Sequence, residues 1–405
     1  MNGSQPLRSP ALAAAVIGAF ALLPLTPSFI AVTSIVPPGV SVVPVVPALA
    51  LFGFDVALGV AAIVVLVRCR PAAPPTFRPY LWYLGALALA SVVGFDPRTG
   101  LSLVFLGGIV LVWQYALWTL VDWRPVIQAI YATILAGGTL ASLVALVLVV
   151  LRRPPELYTF AHGRAVGTFI VPGELAGYLL FILATALGVA LVARSRWLRL
   201  LAYAALGTGL AALALSFSRA GWFGFAVGAA VFVAARRGSR RLAVAGGIVV
   251  LLIAIGLPFY GGHHNETDNF SRIGIWRTAL RTIALFPVTG VGPGGFRLVY
   301  PLLRPPEAVP AAFHAHDYLL TTAAETGLVG IAALALVWWR FVGALLERLA
   351  RAQPAARTLA LALAAGFAAT WAQGLLDSVE VVEFPCWIPF MALALGAAEF
   401  GLDGP

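Results

Sequence analysis

Arginine and histidine side chains gather in one polar stretch of an otherwise apolar chain. Between Tyr260 and Asp317 the long apolar runs stop, and this stretch holds four of the five histidines and a group of arginines. A guanidinium keeps its charge and matches phosphate oxygens with a planar fork. A histidine can accept a proton near neutral pH. The combination predicts acid–base chemistry on an anionic substrate.

The stretch ends in the sequence His314-Ala-His316-Asp317, which opens the next predicted helix. His316 is the candidate general base, and His314 and Asp317 are candidate supporting residues. Asp317 could equally be an ordinary helix cap, and either histidine a bystander. Glu325, nine residues after His316, could support the site or could also be a cap.

The histidine spacing also raises the question of a metal site. Besides His314 and His316, the run from His263 to Asp268 holds His263, His264 and two acids. Neither group brings a third and fourth ligand at a familiar spacing. We therefore expect no metal and no other cofactor.

Two further arginines interrupt apolar sequence elsewhere. Arg219 lies in Ser216–Gly221, a segment with almost no loop between two predicted spans, next to the supporting candidate Ser218. Arg164 lies in the loop before the preceding pair of spans. A charge at the membrane boundary is costly unless it faces a wet cavity or a partner. Snorkelling to lipid headgroups is the alternative for Arg219.

Within the polar stretch, Ser271–Phe286 is predicted to be an amphipathic helix with Ser271 as its N-cap. A helical projection puts Arg272 on the apolar face and at the helix N-terminus, where anions are favoured. Arg277 and Arg281 fall on a solvated edge. Arg272 is therefore the anion-binding candidate of this helix.

The sequence Gly290–Gly295 matches a dinucleotide-binding pattern only formally. No strand precedes it, and Pro293 lies inside it. A tight turn that returns the chain over the bundle is the better interpretation.

Composition identifies the scaffold that carries these groups as a membrane protein. The 405 residues are 61% hydrophobic and only 10% charged, against about 25% charged in soluble domains. The apolar segments are continuous, which favours an all-α polytopic protein over a β-barrel. The net charge of +10 does not require nucleic acid, because arginines facing anionic lipids account for much of it. About twelve spans are predicted, beginning near Ala11, Pro47, Tyr80, Leu101, Val126, Glu174, Trp197, Ala220, Leu242, Leu328, Ala356 and Phe384.

The distribution of arginine orients these spans. With both termini in the cytoplasm, most arginines lie inside, including the cluster at 236–241. Nearly all of the arginines left outside lie in three places: the loop after the fifth span, the hinge at Arg219 and the long loop at about 260–317. This pattern suggests an anionic ligand on the outer face. Asp55 stands alone within the second predicted span, as a neutral hydrogen-bonded acid or as part of a proton relay.

The motifs in combination resemble the O-antigen ligase and O-antigen polymerase superfamily of bacterial envelope glycosyltransferases. The resemblance rests on Ser216–Gly221, on Arg272–Trp276 with Pro287–Phe296, and on Ala315–Leu319 with Ala324–Gly330, together with Arg164–Phe169. The family usually has His-Asn at His316-Asp317 and Pro-Asn at Pro172-Gly173. Those departures affect local capping and hydrogen bonding more than the charged groups.

The resemblance implies a fold and a reaction. It implies a GT-C-type bundle in the bacterial inner membrane, with N-terminal spans at 1–163, a catalytic region at 164–345 and C-terminal spans at 346–405. It implies an outer-face active site that takes a glycan from undecaprenyl diphosphate by inverting, metal-independent transfer to a glycan or lipid acceptor. Arg219, Arg272 and Arg164 would bind the diphosphate.

Three functions share these motifs or this substrate. A ligase transfers the glycan to a lipid A-core or another envelope acceptor, and a polymerase joins lipid-linked repeat units. A flippase for the same lipid-linked glycan is the alternative from another class. Charges confined to one face favour an enzyme, because a transporter would carry charges within its spans and show internal repeats.

Overall fold

The chain folds into a bundle of helices. The computed structural model describes residues 9–25, 56–57, 59–61, 64, 73–169, 171–238, 240–256, 267–377 and 387–402, and Asp55, His263 and His264 lie outside them. Every regular element among these residues is helical, which confirms the all-α prediction. The α-helices are α1 (Pro10–Leu22), α2 (Phe77–Val93), α3 (Pro97–Trp118), α4 (Arg124–Leu151), α5 (Pro155–Phe160), α6 (Pro172–Val192), α7 (Arg196–Leu215), α8 (Arg219–Arg237), α9 (Arg240–Gly256), α10 (Thr267–Leu285), α11 (Phe296–Leu303), α12 (Tyr318–Arg351), α13 (Pro354–Gly374) and α14 (Ile388–Phe400).

Six of these helices are long and apolar enough to cross a membrane. They are α3, α4, α6, α7, α12 and α13, and shorter apolar helices cover Pro10–Leu25, Phe77–Val93 and Ile388–Phe400. Helices α8 and α9 begin beside the predicted starts Ala220 and Leu242 but are not among the six. The chain is therefore a membrane protein, and the count of twelve spans stays a prediction.

Helices α6 and α13 form the centre of the bundle. They pack against each other and are the most enclosed of the six helices. In an apolar stretch of 18 residues, 72% of α6 and 67% of α13 is buried inside the protein. Small residues bring a third helix close: a methyl group added at Gly228 of α8 would lie 2.8 Å from the carbonyl oxygen of Ala365 in α13. Such contacts let helix backbones approach closely in a membrane. They fix α8, whose first residue is Arg219, against α13.

Helix α12 is two helical segments joined at a kink. The helix begins at Tyr318, directly after Asp317, as predicted, and it bends at Gly327, which has φ 61° and ψ −161°, just before the predicted membrane span from Leu328. At the kink, hydrogen bonds from the glycine-rich turn take the place of hydrogen bonds within the helix. The amides of Val291 and Gly292 donate to the carbonyls of residues 324 and 325. This packing agrees with a structural turn.

The loop helix differs from its prediction in start and in orientation. Helix α10 begins at Thr267, so Ser271 lies inside the helix and is not its N-cap, and Arg272 is not at its N-terminus. The helical projection that puts Arg272 on the apolar face puts Ile273 and Leu280 there as well, but these two side chains are 44% and 57% exposed. The buried face holds Ile275, Thr278, Ala279 and Thr282 instead. Hydroxyls that bond back to the helix carbonyls allow threonine to be buried there, which an apolar pattern does not reveal.

Candidate active site

His316 is paired with a carboxylate that follows the central helix α13. Its Nδ1 lies 3.3 Å from Oδ1 of Asp377, and its side chain remains 34% exposed. An ionised carboxylate can only accept a hydrogen bond, so neutral His316 carries its proton on Nδ1 and a lone pair on Nε2. The second nitrogen is then available as a base, with the carboxylate fixing the tautomer and the ring orientation.

Arg272 reaches the same point from helix α10. Its Nη1 donates to the carbonyl of Leu376, the residue before Asp377. Burial alone would raise the pKa of Asp377, but the hydrogen bond with His316 and the charge of Arg272 outweigh it. Together they hold the pKa of this carboxyl well below its usual range. Asp377 is therefore ionised and able to orient His316 throughout the physiological pH range.

His314 completes this group, which we call the histidine cluster: Arg272, His314, His316 and Asp377. The rings of His314 and His316 meet edge to face with centroids 4.3 Å apart. Burial, with smaller contributions from His316 and Arg272, lowers the pKa of His314 to about 3. His314 is therefore neutral at physiological pH.

The backbone at His316 has an unusual conformation. Its φ is 50°, in the left-handed region that side chains other than glycine rarely adopt. Such a conformation costs about 1–3 kcal/mol and persists only where the surroundings impose it. It is a common feature of active sites, and here it directs the imidazole towards Asp377.

Asp317 is the N-cap of helix α12. Its Oδ1 accepts from the amide of Leu320 at 2.8 Å, and the Oγ1 of Thr321 accepts from the amide of Ala315 at 3.0 Å. Burial raises the pKa of Asp317 above its ordinary value, although the backbone amides of Leu320 and Leu319 oppose it. The cap fixes the helix start at Tyr318, two residues after His316.

The start of helix α6 packs against Asp377. A methyl group added at Gly173 would lie 2.6 Å from Oδ2 of Asp377, and Gln373 donates to the carbonyl of Gly173 at 2.6 Å. Glu174, the next residue, is buried with 4% exposure. The missing side chain at Gly173 therefore leaves the space that the carboxylate needs.

A second group, the arginine turn, consists of Arg164 and residues 216–219. Arg164 donates from Nε to the carbonyl of Ser216 at 2.9 Å. Ser218 caps helix α8 by accepting from the amide of Gly221 at 3.1 Å. Arg219 is then the first residue of α8, half-buried at a helix N-terminus that itself favours anions.

The two groups lie at the same end of the bundle. A methyl group added at Gly221, two residues after Arg219, would lie 2.6 Å from Cβ of Ala176 in the first turn of α6. Gly173, in the same turn of α6, contacts Asp377. The first turn of α6 thus separates the arginine turn on one side from the histidine cluster on the other.

Glu325 binds the backbone at the start of helix α11. Its Oε1 accepts from the amide of Phe296, the first residue of helix α11, at 3.3 Å. The carboxylate thereby helps to fix the glycine-rich turn and α11 against the kink of α12.

The other arginines of the long loop contact protein groups. Arg297 pairs with Asp96 at 2.8 Å, Arg281 donates to the carbonyl of Leu303 at 3.1 Å, and Arg304 donates to nearby carbonyls. Arg277 is exposed, as predicted, beside Glu307. Of the arginines in this loop, Arg272 is the one placed in the histidine cluster, through its contact with Leu376. Within the described ranges, no three histidine, cysteine or acidic side chains form a group that could hold a metal ion.

Asp377 was missed by the sequence analysis. It lies 61 residues beyond His316 along the chain, and no motif connects the two. One signal was present, because an acid directly after an apolar span faces the same side as the long loop when the spans alternate. That signal predicts on which side of the membrane Asp377 lies, but it does not identify His316 as its partner.

Comparison with models of protein families gives a match to part of the chain. Residues 204–335 match the family model described as O-antigen ligase, which supports the resemblance found in the motifs. The matched range covers Arg219, Arg272, His314, His316 and Glu325, and it ends before Asp377. None of the curated proteins matches the chain.

Proposed function

Because residues 204–335 match the family model described as O-antigen ligase, we propose that the protein is a membrane glycosyltransferase of the O-antigen ligase type. It transfers a glycan from undecaprenyl diphosphate to an acceptor hydroxyl on a lipid A-core or another envelope molecule. The protein resides in the bacterial inner membrane with both termini in the cytoplasm, and the active site opens to the periplasm.

His316 is the general base of this proposal. The acceptor hydroxyl gives its proton to Nε2 of His316 while its oxygen attacks the anomeric carbon of the donor glycan. The bond from that carbon to the diphosphate breaks, and its electron pair leaves with the lipid diphosphate. Attack from the face opposite the leaving group inverts the anomeric configuration. The pairing of Nδ1 with Asp377 at 3.3 Å is the single observation that carries this role.

The arginines neutralise the leaving group. Charge grows on the diphosphate as the glycosidic bond breaks, and preorganised guanidinium groups stabilise that charge without a metal. Arg272 approaches from the histidine cluster, and Arg219 and Arg164 from the arginine turn. The helix N-terminus at Arg219 adds a favourable dipole for an anion.

Reconstitution tests the proposal and separates it from its alternatives. The purified protein in lipid vesicles is given undecaprenyl-diphosphate-linked glycan with a core lipid, or with a second lipid-linked repeat. We expect transfer to the core lipid and release of lipid diphosphate. A ladder of repeats on the lipid carrier would instead identify a polymerase. Movement of a labelled donor across the vesicle membrane without transfer would identify a flippase.

A further inference from the structure

The amide that precedes the imidazole of His316 is held by the other histidine of the motif. The backbone N–H of His316 donates to Nδ1 of His314 at 3.2 Å. This bond spans two residues and closes a side-chain turn like those that aspartate and asparagine form with the amide two residues on. It acts on the residue whose φ is 50°.

Neighbouring hydrogen bonds fix the chain on both sides of this amide. The amide of Ala315 donates to Oγ1 of Thr321, and the carboxylate of Asp317 caps helix α12. Neither bond involves the N–H of His316. The left-handed conformation of His316 is therefore stabilised directly by Nδ1 of His314.

His314 has the protonation state that this contact requires. An imidazole can accept a hydrogen bond at Nδ1 only when that nitrogen is unprotonated. With a pKa of about 3, His314 is neutral across the physiological range, and its proton then lies on Nε2. Arg272, His316 and Asp377 are the charged and titratable groups that face it. The acceptor is thus present at every pH at which the enzyme is expected to work.

We propose that His314 is a positioning residue that holds the backbone of His316 in its left-handed conformation. The conformation directs Nδ1 of His316 to Asp377 and leaves Nε2 for the acceptor hydroxyl. Rotation of this backbone to negative φ would swing the imidazole away from Asp377. The inference rests on the proposed function for its kinetic consequence, and on the hydrogen bond alone for its structural one.

Two substitutions separate the hydrogen bond from the ring packing. His314→Phe keeps a ring against His316 and removes the acceptor, whereas His314→Asn loses the ring and restores an acceptor two residues before the amide. We expect His314→Phe to lower kcat about 10²-fold with the acceptor KM unchanged, because a misplaced catalytic group costs about that much. His314→Asn should stay within about fivefold of the unsubstituted protein on the same reasoning.

His162→Phe is the matched control. His162 is exposed and also has a positive φ, 52°, so the same exchange tests the loss of a histidine ring away from the histidine cluster. It should leave the rate unchanged. Wild-type rates in His314→Phe, or an equal loss in His314→Phe and His314→Asn, would overturn the inference.

A structural measurement keeps the inference separate from the proposed function. Cryo-EM maps of the two variants report φ at His316 without reference to activity. We expect a left-handed His316 in His314→Asn and a relaxed, negative φ in His314→Phe. If the unsubstituted protein transfers no glycan, the proposed function fails, and these maps still decide the inference. An unchanged left-handed His316 in His314→Phe would contradict it.

Discussion

The histidine cluster and the arginine turn both position charged side chains, but they do so through different contacts. In the histidine cluster, charged side chains from distant segments contact one another, as His316 does Asp377 at 3.3 Å. In the arginine turn, Arg164 binds the backbone of Ser216, and Arg219 begins a helix. Each contains a residue other than glycine at positive φ, His316 at 50° and Phe217 at 47°.

The difference suggests a division of labour. A base needs a partner that fixes its tautomer, and the histidine cluster supplies one. An anion site needs positive groups held in fixed positions, and guanidinium groups at a helix N-terminus fit that need. Substitutions in the two groups should therefore have different kinetic signatures.

The largest effect is expected for His316→Ala. Removal of a general base lowers kcat by about 10²–10⁴-fold, and the KM for the lipid diphosphate should not change. Steady-state transfer by reconstituted protein measures both constants. A variant with normal kcat would remove His316 from the mechanism.

Arg219→Ala should weaken donor binding as well as the rate. In the proposed mechanism the guanidinium contacts the diphosphate in the ground state and more strongly as charge develops, so kcat/KM for the donor should fall about 10²–10³-fold. Arg219→Lys should recover little, because an ammonium lacks the planar fork. Direct measurement of donor binding to the inactive His316→Ala protein, with and without Arg219→Ala, provides the comparison. Equal affinities would refute the division of labour.

Asp377→Asn tests the link between carboxylate and imidazole. The amide is neutral and can present the wrong hydrogen-bonding group to Nδ1, so kcat should fall about 10²-fold while donor affinity is kept. Full activity in this variant would show that His316 does not depend on Asp377.

The same variant should change the pH dependence of stability. The pKa of Asp377 is depressed in the folded protein, so its ionised form contributes stability above the unfolded value of about 3.9. That contribution is lost as the pH falls through the folded pKa. The Tm difference between the original protein and Asp377→Asn should therefore be largest near pH 7 and shrink below about pH 4. A difference that is constant with pH would argue against the charge interaction.

Gly173→Ala should produce an intermediate loss. The added methyl group would lie 2.6 Å from Oδ2 of Asp377 and must displace it, which should lower kcat about tenfold. Gly207→Ala in helix α7 is the control, because a methyl group there meets nothing within 4 Å. Equal activity of the two variants would show that the carboxylate tolerates displacement.

The smallest effect is expected for Arg277→Ala. Arg277 shares helix α10 with Arg272, but its side chain is 64% exposed and its distance to Glu307 is 3.9 Å. An exposed pair of this kind is worth about 0–1 kcal/mol. The transfer rate of Arg277→Ala should differ less than about twofold from that of the unsubstituted protein, whereas Arg272→Ala should greatly lower the transfer rate. A comparable loss in both would place the anion site along the outer edge of α10.

The sequence was most informative about side chains whose chemistry restricts the surroundings in which they can lie. A permanent charge in apolar surroundings needs a reason, and this made Arg219 and Arg272 candidates. A histidine beside a helix start made His316 a candidate. The all-α membrane class followed from composition alone, since continuous apolar segments have few other folded states.

The sequence was least informative about which face of helix α10 is buried and about contacts between residues far apart along the chain. Helix α10 buries threonines and exposes Ile273 and Leu280, so apolar periodicity gave the wrong orientation. Arg272 is a site candidate through its contact with Leu376, and not through the predicted N-terminus. The contact between Asp377 and His316 depends on the packing of α6, α10 and α13, which local sequence does not encode.

The central claim is that guanidinium groups from both parts of the site hold a diphosphate beside His316. The most direct test is a cryo-EM structure of the protein with a non-transferable lipid diphosphate-linked sugar analogue. The account predicts phosphate oxygens within hydrogen-bonding distance of Arg219 and Arg272, with the anomeric carbon facing Nε2 of His316. A diphosphate bound at the other end of the bundle, or in contact with neither arginine, would contradict it.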